Sequence, residues 1–164
     1  DLLNSLRVHG QGHDKYNNIR IGMNSRLDTL QAAILLEKLS VFPVEIEQRN
    51  VLANYYYEQL KDYVEVPKVN EGYTSSWAQY TVQLDDRKEV MERLQQKRVP
   101  TAVYYARAMH QQTAYANLNV YGGLANSENL ANRVMSLPMH PYMDKIDREF
   151  VVSSLKEVMS SISS

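Results

Sequence analysis

The sequence predicts an α+β fold in which a small antiparallel or mixed sheet is covered by helices. Helical spacing of apolar residues marks two long stretches, at 44–62 and from 145 onward. Short stretches of alternating or β-rich character lie between them, at 63–69, 77–84 and 100–105. The chain has 164 residues, of which 44% are hydrophobic and 23% charged, enough for one soluble core of ordinary size.

Irregular structure is predicted for the beginning of the chain. Residues 1–6 are expected to end a helix, residues 7–12 to form a strand or turn, and residues 13–21 to form a polar loop.

The stretch from Gly22 to Leu39 is a polar loop followed by a helix that is apolar nearly all round. Ser25 is placed to cap this helix, and Asp28 follows three residues later as in a weak capping box. A helix with two apolar faces is typical of one that is buried on both sides, in a large protein or a subunit interface. The loop before it is therefore expected to be held rigidly.

Further helices and strands follow from the pattern downstream. Pro43 suits the first turn of a second long helix, which we predict from about residue 44 to 62. The alternation at 63–69 indicates an edge strand, because Pro67 cannot donate a hydrogen bond. A strand at 77–84 and a helix from Asp86 to about residue 98 come next.

The last third of the chain is predicted to contain a third strand, a long loop and two helices. The strand covers 100–105 and the loop covers 106–123, which has no sustained period. A short helix is expected at 126–135, a turn bounded by prolines at 137–143, and a final helix from about residue 145. The apolar stripe of that helix is Val151, Leu155, Val158 and Ile162.

Composition excludes several classes of function. The net charge of −1 argues against nucleic acid and anionic membranes as partners. Without cysteine there is no disulfide scaffold or thiolate metal site, and no two histidines have the helical spacing of a zinc site. No apolar run reaches the roughly 18 residues of a membrane span, and no signal-peptide pattern opens the chain. These features predict a cytoplasmic protein without a metal.

Several motifs together resemble the DegT/DnrJ/StrS-type nucleotide-sugar aminotransferases, which use pyridoxal 5′-phosphate (PLP). The matching stretches are Arg7 to Gly10, Tyr16, Ile19 to Met23, Asn24 to Leu39, Arg98 to Tyr105 and Ser136 to Pro141. The resemblance covers essentially the whole chain, and it is closest to the branch that aminates UDP-2-acetamido-3-oxo-glucuronate. It implies the C-terminal domain of a fold-type I PLP-dependent transferase, with a long N-terminal connecting helix. Residues 1–24 would be the remnant of a large PLP-binding domain and the inter-domain loop, and residues 25–164 would form the small C-terminal domain.

The resemblance also implies site residues. Asn24 would contact the PLP phosphate of the other subunit of a homodimer; alternatively, its side chain only closes the loop by bonding its own backbone. His9 and Arg26 would lie near the sugar acid, although Arg26 could instead pair with Asp28. Tyr104 and Tyr105 would contact substrate; Tyr105 matches the family pattern, whereas Tyr104 stands where the family often has histidine.

Covalent PLP catalysis requires a lysine that forms a Schiff base, and none of the eight lysines suits that role. The resemblance therefore implies that this chain carries no catalytic residue and is inactive alone. The complete enzyme would transfer an amino group, from glutamate or another amino acid, to a keto-sugar nucleotide used in polysaccharide or amino-sugar biosynthesis. Two alternatives remain open at this stage: a non-catalytic dimerisation or sugar-nucleotide-binding module, and a PLP-dependent sugar dehydratase in which histidine replaces the lysine.

Overall fold

A computed structural model describes residues 1–162 of the chain. It contains five α-helices and one two-stranded antiparallel sheet, so the predicted α+β class is confirmed. The chain divides into two compact units, Asp1–Pro43 and the remainder from Val44. Within the described residues, no helix is long and apolar enough to span a membrane.

The first unit is built on a backbone pairing close to its N-terminus. Helix α1 spans Leu2–Arg7, as expected. Val8 then forms an isolated antiparallel bridge with Asn24, and the Ser25 amide donates to the Arg7 carbonyl oxygen at 2.8 Å. The predicted capping role of Ser25 is therefore wrong, because pairing with α1's exit segment keeps Ser25 extended and the next helix starts only at Thr29.

Helix α2 spans Thr29–Leu60 without interruption, and Pro43 lies inside it. The prediction that Pro43 starts a separate helix was wrong. An interior proline removes one backbone hydrogen bond and costs about 3 kcal/mol, but strong helix formers resume within four residues on each side, at Leu39 and Glu45. The C-terminal half is also anchored, since Leu52, Ala53, Tyr56 and Leu60 are buried in the core.

The N-terminal half of α2 has no such cover in this chain. Its apolar side chains are largely exposed; Leu30 is 74% exposed and Leu36 is 67% exposed. Burial on both sides, which the sequence suggested, does not occur among residues 1–162.

The sheet of the second unit pairs β1 (Tyr80–Gln83) with β2 (Val134–Leu137), with Tyr80 opposite Leu137. Only isolated bridges flank it: Glu65 pairs with Gln83, and Ala102 pairs with Ser136. The strands predicted at 63–69 and 100–105 are thus reduced to one paired residue each. Pro67 and Pro100 lie two residues from these bridges and have no N–H with which to extend a ladder.

Strand β2 was not predicted. The helix expected at 126–135 ends earlier, as α4 (Ala125–Arg133), and the strand follows without a connecting loop. Pairing with β1 stabilises this change: Ser136, which is buried, exchanges a 2.8 Å hydrogen bond with the Thr81 hydroxyl. The predicted turn at 137–143 accordingly begins after Leu137.

Two further helices complete the second unit, α3 (Arg87–Gln96) and α5 (Lys145–Ile162). The predicted stripe of α5 is confirmed, with Val151, Leu155 and Val158 buried. The loop at 106–123 is largely irregular, as expected, and contains two short 3₁₀ turns, Met109–Gln111 and Thr113–Tyr115.

Two tyrosines lie at the centre of this core. Tyr56 and Tyr80 are both fully buried, and their ring centroids are 5.1 Å apart. Tyr56 donates a hydrogen bond to the Pro138 carbonyl oxygen at 3.0 Å, whereas the Tyr80 hydroxyl has no partner among the described residues. Burial raises the pKa of both hydroxyls well above the ordinary tyrosine value.

Candidate functional site

The candidate site of the first unit depends on a close crossing of two backbone segments. The His9 amide donates to the Met23 carbonyl oxygen at 2.9 Å, next to the bridge between Val8 and Asn24. At the crossing, a Cβ atom on Gly22 would lie 2.1 Å from the Gly10 nitrogen. Only glycine allows this approach, so the crossing fixes the backbone immediately before Asn24.

Gly10 has a second reason to be glycine. Its φ of +74° lies in the left-handed region, and an added Cβ would stand 1.8 Å from the Arg20 carbonyl oxygen. Sequence reasoning gave Gly10 and Gly22 no role of their own. The available signal was the scarcity of glycine, since three of only six in the chain, Gly10, Gly12 and Gly22, lie in this segment.

The structure brings the backbones of His9 and Asn24 together through this crossing. His9 itself adopts a φ of 58°, which is uncommon for a residue with a side chain. Asn24, His9 and Arg26 are all exposed. Side chains positioned on a fixed backbone and open to solvent suit contact with a ligand.

The side chains of Asn24 and Arg26 make no hydrogen bond or ion pair within residues 1–162. Asn24 thus does not close the loop by bonding its own backbone, and Arg26 does not pair with Asp28. Asn24 also lies in the extended pairing rather than directly before the N-terminus of α2, which begins at Thr29. The positive end of the α2 dipole is therefore not adjacent to Asn24.

Tyr104 and Tyr105 belong to the second unit. They follow Ala102, whose two backbone hydrogen bonds with Ser136 fix the point where the segment leaves the sheet. Their rings meet edge to face at 5.8 Å between centroids, with 45% and 75% of each residue exposed. They offer two hydroxyl groups and two ring faces to solvent, a combination suited to sugar-like ligands.

No lysine within residues 1–162 is buried. The two that are half-buried have polar partners: Lys97 pairs with Glu157 at 2.8 Å, and Lys156 donates to the Gln59 side-chain oxygen at 2.8 Å. A Schiff-base lysine is kept neutral by burial or by neighbouring cations, and none of these environments provides either. The described part of the chain also has no group of three acidic or histidine side chains that could hold a metal ion.

Comparison with known proteins finds matches over nearly the whole chain. Residues 1–156 match the model of the DegT/DnrJ/EryC1/StrS aminotransferase family. A UDP-2-acetamido-2-deoxy-3-oxo-D-glucuronate aminotransferase from Pseudomonas aeruginosa is 43% identical over 154 residues, which are 93% of this chain and 42% of that protein. A dTDP-3-amino-3,6-dideoxy-alpha-D-galactopyranose transaminase from Aneurinibacillus thermoaerophilus is 34% identical over 156 residues, again 42% of its length.

Solved structures give the same result. An aminotransferase of this type from Brucella abortus superposes with a TM-score of 0.89 at 44% identity, over 96% of this chain and 42% of that one. NtdA from Bacillus subtilis, solved with bound cofactor PMP, superposes with a TM-score of 0.82 at 27% identity. The match covers 95% of this chain and 38% of that one. The chain therefore spans less than half the length of the relatives that it matches.

Proposed function

Because the chain belongs to the DegT/DnrJ/EryC1/StrS aminotransferase family, we propose that it is the C-terminal portion of a PLP-dependent aminotransferase that acts on a keto-sugar nucleotide. The observation that carries this proposal is the match of residues 1–156 to the family, together with a free Asn24 on a fixed backbone. The amino donor is an amino acid, in the first instance glutamate.

The residues present suit one part of a PLP site and not another. The exposed Asn24 amide can donate to a phosphate oxygen, but no lysine here has the environment required for covalent attachment. When bound, PLP supplies the electron sink for amino transfer. Asn24 would hold its phosphate group, and the lysine would come from the remaining part of the polypeptide.

Substrate binding is assigned to four side chains. Arg26 suits a carboxylate through its bidentate fork, and His9 supplies a second donor on the same crossing. A sugar carboxylate is the group in question, since a 43% identical relative acts on a glucuronate derivative. Tyr104 and Tyr105 would contact the sugar with their hydroxyl groups.

Assembly is proposed as a homodimer with shared active sites. The exposed apolar face of α2, from Leu30 to Leu39, is the kind of surface that an interface covers. In this arrangement residues 1–24 complete the large domain, and residues 25–164 form the small domain. A cytoplasmic location fits an enzyme that uses nucleotide sugars and amino acids.

The decisive experiment uses the full-length gene product. We expect it to bind PLP, seen by its visible absorbance, and to aminate a keto-sugar nucleotide with glutamate as donor. Asn24→Ala should lower PLP affinity at least tenfold, whereas Asn126→Ala, an exposed asparagine of α4, should leave it unchanged.

A subunit-mixing test examines the shared site. At a PLP concentration that saturates the wild type but not Asn24→Ala, an Asn24→Ala subunit has little activity alone, and a subunit lacking the Schiff-base lysine has none. If Asn24 acts across the interface, mixed dimers regain up to about half of the normal activity, because one of the two sites is then intact. Absence of PLP binding would instead favour a non-catalytic sugar-nucleotide module, and loss of a hydroxyl from the sugar without amination would favour the dehydratase.

A further inference from the structure

Residues 20–22 form a bulge between two short backbone pairings of the first unit. On one side, the Ile19 amide donates to the Gly10 carbonyl oxygen at 3.0 Å; on the other, the His9 amide donates to the Met23 carbonyl oxygen at 2.9 Å. Between the two hydrogen bonds, the chain advances by one residue on the side of His9 and Gly10 but by four residues on the side of Ile19 and Met23. Bulges re-aim side chains and are frequent beside active sites.

The bulge is packed tightly against the backbone beneath it. The Arg20 carbonyl oxygen lies over Gly10, where an added Cβ would approach it to 1.8 Å, and Gly22 touches the Gly10 nitrogen in the same way. Its side chains are turned outward, since Ile21 is 97% exposed and Arg20 is also exposed. A packed backbone that displays exposed side chains is preorganised for a ligand.

The segment that carries the bulge has a small positive charge. Residues 1–28 hold four cationic side chains and three carboxylates, a net charge of +1 in a chain whose total is −1, and no carboxylate lies between Lys15 and Arg26. The cations are Arg7, Lys15, Arg20 and Arg26. Such local asymmetry is typical of a surface that binds an anion with more than one charge.

Three of these cations already have an explanation. Arg7 lies in the last turn of α1, where a cation is favourable, and the Lys15 ammonium lies 5.8 Å from the Tyr16 ring centroid. Arg26 is assigned to the sugar carboxylate. Arg20 is the one of the four without an assigned role, and its guanidinium has no acidic partner within the described residues.

We propose that Arg20, displayed by the bulge, binds the diphosphate of the nucleotide-sugar substrate; this inference rests on the proposed function. A nucleotide sugar carries a diphosphate in addition to the groups already assigned to Asn24, His9 and Arg26. The guanidinium fork matches two phosphate oxygens, and a fixed backbone lowers the entropy lost on binding. Arg20 thus determines affinity for the nucleotide part of the substrate.

The test measures binding of free nucleotides to the full-length enzyme by calorimetry. The probe is UDP or dTDP, whichever the wild type binds more tightly, and the matching nucleoside serves as comparison. Arg20→Gln should weaken diphosphate binding by about 10-fold or more, as for other hydrogen bonds to charged groups. Nucleoside binding and PLP content should not change.

Two further variants make the result specific. Arg20→Lys keeps the charge without the fork and should fall between wild type and Arg20→Gln. Arg98→Gln removes another exposed arginine, one that belongs to the second unit, and should have no effect. The slope of diphosphate affinity against salt concentration should become shallower only in Arg20→Gln, because Arg20→Lys keeps the charge.

Three outcomes would overturn the inference. Unchanged diphosphate affinity in Arg20→Gln would remove its basis, and equal losses for nucleoside and diphosphate would indicate a general disturbance of the loop. Loss of PLP from Arg20→Gln would assign the residue to the cofactor instead. A wild type that binds diphosphate but neither PLP nor glutamate would refute the proposed function separately from the role of Arg20.

Discussion

The two central tyrosines predict opposite effects for the same chemical change. Tyr80→Phe removes a buried hydroxyl that has no partner among the described residues, whereas Tyr56→Phe removes one that donates to the Pro138 carbonyl oxygen at 3.0 Å. Both rings are fully buried and lie 5.1 Å apart, so the surroundings are closely matched. The sign of each effect therefore reports on hydrogen bonding alone.

The magnitudes follow from the cost of an unsatisfied polar group. A buried donor without a partner costs about 1–3 kcal/mol, and Tyr80→Phe recovers part of it while keeping the ring contacts with Tyr56 and Trp77. We expect the free energy of unfolding to rise by about 1 kcal/mol. Tyr56→Phe loses a hydrogen bond and leaves the Pro138 oxygen unsatisfied, and should lower it by about 1–2 kcal/mol.

Urea unfolding of the 164-residue chain measures both variants. Trp77 is the single tryptophan, and its ring lies 5.5 Å from that of Tyr80, so its fluorescence follows the core of the second unit. If Tyr80→Phe lowers the free energy of unfolding by more than about 0.5 kcal/mol, the hydroxyl has a favourable partner and the reasoning fails. The same conclusion follows if both variants shift stability in the same direction by similar amounts.

Three other predictions concern pH, the crossing and the core. Burial raises the pKa of Tyr56 and Tyr80 above 10.0, so the free energy of unfolding should not depend on their ionisation below pH 10 and should fall as pH rises further, by about 1.4 kcal/mol per pH unit and group in denaturation at pH 9–12; a slope that is the same in the double Phe variant would contradict this. Gly10→Ala should displace the amide resonances of residues 7–26, because its Cβ meets the Arg20 oxygen, while Gly72→Ala, with a similar φ of +81° and no atom within 4 Å, should change only its own turn. Leu155→Ala in α5 should cost about 2–5 kcal/mol by urea unfolding, and a cost below 1 kcal/mol would mean that the core there is not closely packed.

The helices of the second unit could be predicted because their apolar periodicity is undisturbed by long-range pairing. The stripe of α5 and the extent of α3 follow from local sequence. Strand β2 could not be predicted from the sequence. Val134–Leu137 continues an apparently helical stretch without a glycine or proline, and only pairing with β1 selects the extended form. Pro43 led to the opposite error, because α2 continues through this proline and only its C-terminal half is packed into the core.

The candidate site also has features that the sequence could predict and one that it could not. Asn24, His9 and Arg26 could be proposed from the sequence because their motif resembles a family whose chemistry is known. The crossing of Gly10 and Gly22 could not, since it depends on two segments that meet in space and leave no periodic pattern. The assigned roles of the five candidate residues remain predictions.

The isolated bridges at Glu65 and Ala102 also bear on the solubility of a sheet this small. A two-stranded sheet has two open edges, and each offers unpaired backbone groups to another chain. Here one residue covers each edge, and Pro67 or Pro100 lies two positions away on the covering segment. A second molecule that approached either edge would therefore meet a segment unable to continue a ladder, so the two prolines that shorten the sheet also protect the protein from aggregating through it.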